Sequence, residues 1–132
     1  MESGGVNRIL CIEDDPDIQA VLRLSLESVG GFEVRVIGSG FEAVAAAMEF
    51  TPDLILLDVM MPGMDGPETL AKLRSETSLR RVPVVFMTAK IQPGEIDGYR
   101  RMDILDVIPK PFDPMTLPAT IAEILGRGNV RT

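Results

Sequence analysis

The sequence predicts an α/β domain, a doubly wound parallel β-sheet with helices on both faces. Five short apolar segments alternate with five segments in which apolar residues recur at helical spacing, and proline or glycine residues separate them. Strands and helices that alternate in this way form parallel sheets, because each helix returns the chain to the edge where the next strand starts. A length of 132 residues with 45% hydrophobic residues suits one such domain with a single core.

The first half of the chain contains two strand–helix units. The apolar run Arg8–Ile12 predicts the first strand, and Pro16 predicts the first turn of a helix that ends at Gly30. Alternating apolar residues predict the second strand over residues 32–37, and an alanine-rich segment predicts the second helix over residues 41–50. The residues predicted to face inward from this second helix are Val44, Ala45 and Met48.

A central strand is predicted at residues 54–57, four consecutive apolar residues that run directly into Asp58. A run this short, bounded by polar and turn residues, is typical of a strand buried on both faces. The sequence Pro62-Gly63-Met64-Asp65-Gly66 then predicts a turn, and Pro67 predicts the start of a third helix over residues 67–75. Asp58 is therefore placed at the carboxyl end of a central strand, the edge at which open α/β sheets bind ligands.

The remaining segments continue the alternation. A polar loop at 77–82 precedes a fourth strand at 83–87, a fourth helix at 95–101, a fifth strand at 104–108 and a last helix at 114–125. Pro118 falls within the first turns of that helix, which it can kink or delay, and Gly126 is predicted to end it. We expect residues 1–7 and 127–132 to be flexible ends of a domain that spans residues 8–126. The commonest order of five such strands is 2-1-3-4-5, the flavodoxin-like arrangement, which we predict here.

Composition and charge exclude several classes of protein. A net charge of −7 and a pI near 4.5 argue against direct nucleic-acid binding. No apolar run approaches the ~20 residues of a membrane span, and the N-terminus lacks the basic and apolar regions of a signal peptide. We therefore expect a cytoplasmic protein without membrane insertion, in which the single cysteine, Cys11, is a buried structural thiol. The chain has no histidine, so its chemistry must rest on carboxylates, hydroxyls and amines.

Polar side chains stand at the ends of four predicted strands that are neighbours in the order 2-1-3-4-5, so they meet at one edge of the sheet. Three carboxylates held close together repel one another, and Mg²⁺, which prefers oxygen ligands, removes that conflict. A lysine ammonium and a threonine hydroxyl supply charge and a hydrogen bond for an anionic oxygen. Together these are the parts needed to transfer a phosphoryl group to a carboxylate. The residues are Glu13, Asp14, Asp58, Thr88 and Lys110.

These motifs together resemble the receiver domains of two-component response regulators, over about residues 8 to 125. The residues that carry the resemblance are Glu13-Asp14, Asp58 followed by Met61-Pro62-Gly63-Met64-Asp65-Gly66, Met87-Thr88-Ala89 and Lys110-Pro111-Phe112. Any one of these motifs alone is weak, and their combination is specific. The family often has a cis bond between the lysine and the following proline, which the chemistry of X-Pro bonds permits.

The resemblance implies a role for each of these residues. Asp58 is the expected phosphoacceptor, and Mg²⁺ is expected to bind Asp14, Asp58, the Met60 backbone carbonyl and, through water, Glu13. Contacts to the phosphoryl oxygens are expected from Thr88, the Ala89 backbone and Lys110. The expected function is that of a stand-alone receiver in a phosphorelay, with a histidine kinase or histidine phosphotransfer protein as donor and a separate output protein as reader. Such a domain catalyses only its own phosphorylation and dephosphorylation, so we expect no enzyme in the usual sense.

The sequence departs from the family pattern at three positions. Receivers commonly carry a switch aromatic three residues before the lysine, where this chain has Val107. The positions two after the phosphoacceptor and two after the threonine orient the hydrolytic water in this family, and here they are Met60 and Lys90. Neither side chain can accept a proton from that water, so we expect slow loss of the phosphoryl group.

Three other functions compete with this interpretation. A flavin-binding electron carrier on the same fold needs a loop rich in glycine and hydroxyl groups after strand 1, whereas this loop is acidic and repels phosphate. An aspartyl phosphatase usually has a second Asp two residues after its nucleophile, and Met60 stands there. A pseudo-receiver adaptor that binds partners independently of phosphorylation is the main alternative, because Val107 alters or abolishes the usual coupling of threonine to an aromatic residue.

Overall fold

The computed structural model describes residues 6–89 and 92–130, with side chains up to residue 127. Lys90 lies outside the described residues, as do residues 1–5 of the predicted N-terminal segment and residues 131–132 of the predicted tail. The described chain forms one sheet of five parallel strands in the order β2-β1-β3-β4-β5, so the predicted flavodoxin-like order is confirmed. The strands are β1 (Arg8–Ile12), β2 (Glu33–Ile37), β3 (Leu54–Asp58), β4 (Val84–Thr88) and β5 (Asp106–Pro109).

Five α-helices alternate with these strands in the described part of the chain, as predicted. They are α1 (Pro16–Arg23), α2 (Ala43–Phe50), α3 (Gly66–Ser75), α4 (Pro93–Arg100) and α5 (Leu117–Val130). The α1 helix is followed directly by a π-helical segment, Leu24–Val29, and short 3₁₀ turns precede α2 and follow α3 at Gly40–Glu42 and Thr77–Leu79. Within the described residues, none of these helices combines the length and the apolar character that crossing a membrane requires.

The helices bury both faces of the sheet. One face packs against α1, the π-helical segment and α5, through Leu22, Leu26, Leu117, Ile121 and Ile124. The other face packs against α2 and α3, through Ala43, Ala47, Phe50, Leu70 and Leu73. The central strand β3 is buried on both sides, as its apolar run predicted. Cys11 lies in β1 within the first of these layers, where burial raises the pKa of its thiol, so the predicted structural role is supported.

Two helix caps fix the loops that leave β1 and β3. Asp15 accepts a hydrogen bond from the Asp17 amide at 2.8 Å and begins α1. Asp65 and Glu68 form a capping box at the start of α3, in which each side chain accepts the other's backbone N–H, at 2.9 and 3.0 Å. Gly66 also lets the loop return to β3, because a Cβ there would lie 2.8 Å from the Cα of Val59. The backbone around the end of β3 is therefore held on both sides.

The predicted inward face of α2 is only partly correct. Of its three residues, Val44 is partly buried and packs against the core, whereas Ala45 and Met48 are exposed. The buried residues of α2 are Ala43, Ala47 and Phe50. The α-helix begins only at Ala43, after the 3₁₀ turn, and from there the spacing of 0, 4 and 7 residues places these three side chains on one face. Because most residues of this helix are apolar, the sequence is compatible with more than one buried face. Packing against the sheet determines which face is buried.

The predicted bounds of α5 are also wrong at both ends. A turn precedes the helix, since the carbonyl of Asp113 accepts hydrogen bonds from Thr116 and Leu117, and α5 begins at Leu117. Pro118 is thus the second residue of the helix, in the first turn, where proline is tolerated because its N–H is not needed for a hydrogen bond within the helix. The helix runs past Gly126, its predicted end, to Val130.

Candidate functional site

The carboxyl ends of four strands bring the predicted polar residues to one edge of the sheet. Asp58 and Thr88 are the last residues of β3 and β4, and both are buried. Glu13 follows β1 and is also buried, whereas Asp14 beside it is exposed. Lys110 follows β5, and its backbone N–H donates to the carbonyl oxygen of Thr88 at 2.9 Å. The convergence expected from the strand order is therefore present in the structure.

Lys110 joins two of the carboxylates. Its Nζ lies 2.6 Å from Oε1 of Glu13 and 3.1 Å from Oδ1 of Asp58. Burial opposes the charge on this ammonium, but the hydrogen bonds to both carboxylates outweigh burial and raise the pKa of Lys110. The lysine ammonium is therefore shared between Glu13 and Asp58 at this edge of the sheet.

The two buried carboxyl groups carry more charge than their surroundings favour. Burial raises the pKa of Glu13 above its ordinary value, although hydrogen bonds from Lys110 and from the Asp15 amide act in the opposite direction. Burial likewise raises the pKa of Asp58, against the opposing hydrogen bond and charge of Lys110. An additional cation at this edge would stabilise the charged forms of both carboxyl groups and lower their pKa values.

Glu13, Asp14 and Asp58 form a group of three carboxylates that could hold such a cation. One oxygen atom from each lies within 4.8 Å of the others. Hard divalent cations take carboxylate oxygens, and Mg²⁺ characteristically binds through one or two carboxylates while keeping several water molecules. Asp14 is exposed and leaves that side of the group open to water. The three carboxylate oxygens and the exposure of Asp14 to water both fit Mg²⁺.

The backbone after β3 contacts the central carboxylate. The amide of Met60 donates to Oδ1 of Asp58 at 3.3 Å, and its side chain is 54% exposed at the mouth of the site. Ala89, the residue after Thr88, is also exposed. Lys90, the other residue predicted to tune the lifetime of a phosphoryl group, lies outside the described residues.

The position of the missing switch aromatic lies in the core. Val107 is 7% exposed and belongs to the same buried cluster as Phe86 of β4. The ring of Tyr99 from α4 packs edge-on against Phe86, with centroids 5.7 Å apart and an interplanar angle of 82°. An aromatic pair between α4 and β4 thus adjoins this position, which the sequence reasoning did not identify.

Gln19 is a second contact that the sequence reasoning missed. Its Nε2 donates to the backbone carbonyl of Glu13 at 2.6 Å and ties α1 to the loop that carries the first two carboxylates. In the sequence, the only indication of this contact is that Gln19 lies six residues after Glu13, across the N-cap of α1. That spacing is too general to predict a contact.

A largely apolar cavity of about 470 Å³ adjoins Lys110. It is lined by Ile18 and Val21 of α1 and by residues of the segment after β5. From that segment come Lys110, Pro111, Phe112 and Pro114, and Ala89 also lines the cavity.

Known proteins share both the sequence pattern and the fold. The family described as response regulator receiver domain matches residues 9–122. The DNA-binding response regulator MtrA of Mycolicibacterium smegmatis is 38% identical over 120 residues, which cover 91% of this chain and 51% of MtrA. Response regulator Rre1 of Synechocystis is 35% identical over 121 residues, covering 90% of this chain and 52% of Rre1. The chain thus spans about half the length of these curated relatives.

Solved structures of receiver domains share the fold of this chain. Chemotaxis response regulator CheY4 of Vibrio cholerae superposes with a TM-score of 0.82 at 27% identity, covering 91% of this chain and 99% of CheY4. The receiver domain of sensor histidine kinase PA1611 from Pseudomonas aeruginosa superposes with a TM-score of 0.77 at 31% identity, covering 93% and 97% of the two chains. That structure has a magnesium ion coordinated in its active-site cleft. On the match to residues 9–122, the identity to these regulators and the shared strand order, this chain belongs to the family of response-regulator receiver domains.

Proposed function

We propose that Asp58 accepts a phosphoryl group from a histidine kinase or a histidine phosphotransfer protein. The observation that carries the proposal is the position of Asp58, buried at the end of β3 with Lys110 Nζ 3.1 Å from its Oδ1. An oxygen of Asp58 attacks the phosphorus, the bond from phosphorus to the donor histidine nitrogen breaks, and the nitrogen keeps the electron pair. The product is an acyl phosphate on Asp58 and an unphosphorylated donor histidine.

Mg²⁺ is the cofactor of this reaction in our proposal. Asp14 and Asp58 would be its direct protein ligands, Met60 would contribute its backbone carbonyl, and Glu13 would reach it through water. The support is the group of three carboxylates with oxygen atoms within 4.8 Å of one another. When bound, Mg²⁺ would neutralise the charge that builds up as the phosphoryl group approaches a carboxylate.

The phosphoryl oxygens are bound by residues from β4 and β5. Lys110 supplies an ammonium whose pKa is raised, so its charge is retained near neutral pH. Thr88 supplies its hydroxyl and Ala89 its backbone N–H, from the end of the strand beside β3. Because these donors are held in place before the phosphoryl group arrives, little reorganisation accompanies the transfer.

The phosphorylated state is read by a separate output protein, and the chain catalyses no reaction other than gain and loss of its own phosphoryl group. We place it in the cytoplasm, without membrane insertion. The relatives named DNA-binding regulators are about twice as long as the matched region, and the charge of −7 disfavours nucleic-acid contact by this chain itself. In this proposal, DNA binding belongs to the part of those relatives that the match does not cover.

Intact-protein mass spectrometry after treatment with acetyl phosphate and Mg²⁺ tests the proposal. We expect a gain of one phosphoryl group in the wild type, and none in Asp58→Asn or in wild type treated with EDTA. The competing pseudo-receiver function is favoured by the burial of Val107, which leaves no aromatic ring to flip at that position. No mass gain in the wild type, together with partner binding equal in the wild type and Asp58→Asn, would establish that alternative.

A further inference from the structure

The segment that follows Lys110 is attached to the π-helical segment after α1 by a side-chain hydrogen bond. Ser25, whose side chain is fully buried, donates from Oγ to the carbonyl oxygen of Pro114 at 2.5 Å. Ser25 lies in the π-helical segment Leu24–Val29, and Pro114 lies four residues after Lys110. This contact joins two parts of the chain that are 89 residues apart.

The carbonyl of Pro114, in the turn that precedes α5, needs a donor from outside that turn and helix. In a helical turn, the carbonyl of residue i accepts from the N–H of residue i+4, as Asp113 does from Leu117 at 2.9 Å. The corresponding donor for Pro114 would be residue 118, which is a proline and has no N–H. The Ser25 hydroxyl takes the place of that amide, so the carbonyl is not left without a protein donor.

Ser25 is itself held in a fixed position. Its backbone carbonyl accepts the five-residue hydrogen bond of the π-helix, from the Gly30 amide at 2.9 Å. The next residue, Leu26, is buried in the cluster that contains Leu117 and Ile121 of α5. The backbone that carries Ser25 is therefore fixed by packing, and this holds the hydroxyl in position to donate to Pro114.

The position of Pro114 is linked to that of Lys110 by a short and stiff segment. Pro109, Pro111 and Pro114 each have a fixed φ angle, which leaves the intervening residues few conformations. Pro111 and Pro114 line the cavity beside Lys110, together with Ile18 and Val21 of α1. A shift of Pro114 away from α1 would therefore move the backbone that carries Lys110.

We propose that Ser25 is a positioning residue for Lys110. By replacing the amide hydrogen that Pro118 lacks, its hydroxyl sets the distance between α1 and the segment from Lys110 to Pro114. The inference rests on the proposed function, in which Lys110 contacts the phosphoryl oxygens. Loss of the hydroxyl should weaken those contacts while leaving Mg²⁺ bound by Asp14 and Asp58.

A double-mutant cycle tests this proposal. Wild type, Ser25→Ala, Pro118→Ala and the double variant are titrated with Mg²⁺ alone and then with beryllofluoride in saturating Mg²⁺. Titrations are made at a temperature at which circular dichroism shows all four to be folded. We expect Ser25→Ala to weaken beryllofluoride binding about 5-fold, or ~1 kcal/mol, with Mg²⁺ affinity unchanged. In the Pro118→Ala background residue 118 donates its own amide, so the same change should have an effect of less than about 2-fold.

Equal beryllofluoride affinity in wild type and Ser25→Ala would overturn the proposal, as would the same loss in both backgrounds. An equal loss of Mg²⁺ affinity would also overturn it, since general destabilisation would then explain the result. A wild type that neither binds beryllofluoride nor gains a phosphoryl group contradicts the proposed function, and the inference falls with it. If Ser25→Ala does not fold, Ser25→Cys keeps the size of the side chain and donates only weakly, and the same comparison is made with it.

Discussion

The ammonium nitrogen of Lys110 lies 2.6 Å from Oε1 of Glu13, across 97 positions of the sequence. The same nitrogen lies 3.1 Å from Oδ1 of Asp58, so one cation is shared by two buried carboxylates. Two negative charges and one positive charge leave the buried site acidic before any ligand binds. The raised pKa values of Glu13 and Asp58 express this imbalance, and the first two predictions follow from it.

Without Mg²⁺, Asp58→Asn should be more stable than the wild type, and the difference should grow with pH. Since burial raises the pKa of Asp58, its folded state binds a proton more tightly than its unfolded state. The stability that this proton contributes is fully present below the unfolded pKa of about 4, and is lost as pH rises through the raised folded pKa. Lys110 stays charged throughout, because its pKa is also raised. Urea unfolding in EDTA should give a higher free energy of unfolding for Asp58→Asn than for the wild type. This difference should be larger at pH 8 than at pH 5, by about 1 kcal/mol.

The wild type in Mg²⁺ is the control for this experiment. A bound cation offsets the carboxylate charge, so saturating Mg²⁺ should stabilise the wild type at pH 8 and should stabilise Asp58→Asn less. If Asp58→Asn is less stable than the wild type in EDTA at pH 8, the buried charge of Asp58 is better compensated than the structure indicates.

The second prediction concerns Asp14, the exposed member of the carboxylate group. Asp14→Ala should weaken Mg²⁺ binding by at least ~10-fold, because it removes a direct ligand and one of the charges that attract the cation. The variant should stay folded, since the side chain is exposed. Isothermal titration calorimetry measures the affinity, and loss of phosphorylation by acetyl phosphate should accompany it.

Asp17→Ala is the matched control for Asp14→Ala. Asp17 is an exposed acid three residues further along the chain, in the first turn of α1, so the change in net charge is the same. Its Mg²⁺ affinity should remain within about 2-fold of the wild type, because removing one exposed charge changes the local potential only modestly. A Mg²⁺ affinity of Asp14→Ala equal to that of Asp17→Ala would show that Asp14 is not a ligand.

The alternation of strands and helices and the convergence of the site could be predicted because they depend on simple patterns, whereas the strand order was predicted only as the commonest one for five parallel strands. Four apolar residues running into Asp58 specify a buried strand and place the carboxylate at its end, since parallel strands end at one edge. Lys110 reaches that edge for the same reason. Its bridge between two carboxylates depends on side-chain directions, which no spacing in the sequence encodes.

The parts that could not be predicted depend on tertiary packing. The helix α2 is rich in alanine, so its apolar residues permit several faces, and contact with β1 and β3 selected Ala43 and Ala47. Pro118 is compatible with a kink or with the second position of a helix, and the turn at Asp113 decided between them. The hydrogen bond from Ser25 to Pro114 requires two distant segments to be in place, and no local pattern indicates it.

The third prediction concerns how the phosphoryl group changes the rest of the domain. Val107 is buried and has no large ring to move between two positions, so the response should be carried by the backbone of residues 88–99. This segment is short of apolar residues, and α4 within it has no buried residue among those described. Hydrogen exchange with and without beryllofluoride should therefore show a several-fold change in protection across residues 92–99, including Tyr99 at the contact with Phe86.

The matched control for the exchange experiment is α2, on the same face of the sheet but remote from β4 and β5 in strand order. Its amides should keep the same protection in both states. Unchanged exchange in residues 88–99 would mean that no two-state element exists in this segment for the phosphoryl group to bias.

The last prediction concerns the lifetime of the acyl phosphate on Asp58, which is lost when water attacks the phosphorus opposite the Asp58 oxygen. Met60 is 54% exposed at the mouth of the site and offers this water only a weak acceptor, and Lys90 has donors but no acceptor. Since neither side chain can take a proton from the water, hydrolysis should be slow, which suits a lasting signal or return of the group to a phosphotransfer partner.

The variant Met60→Asn with Lys90→Glu supplies two acceptors and should lose the group ~10-fold faster, if one water-orienting contact lowers the barrier by ~1.4 kcal/mol. Decay followed by intact mass after removal of the donor measures both rates, with Met115→Asn, an exposed methionine five residues after Lys110, as the control that should match the wild type. Equal rates for wild type and the double variant would show that loop motion admits water regardless of these side chains.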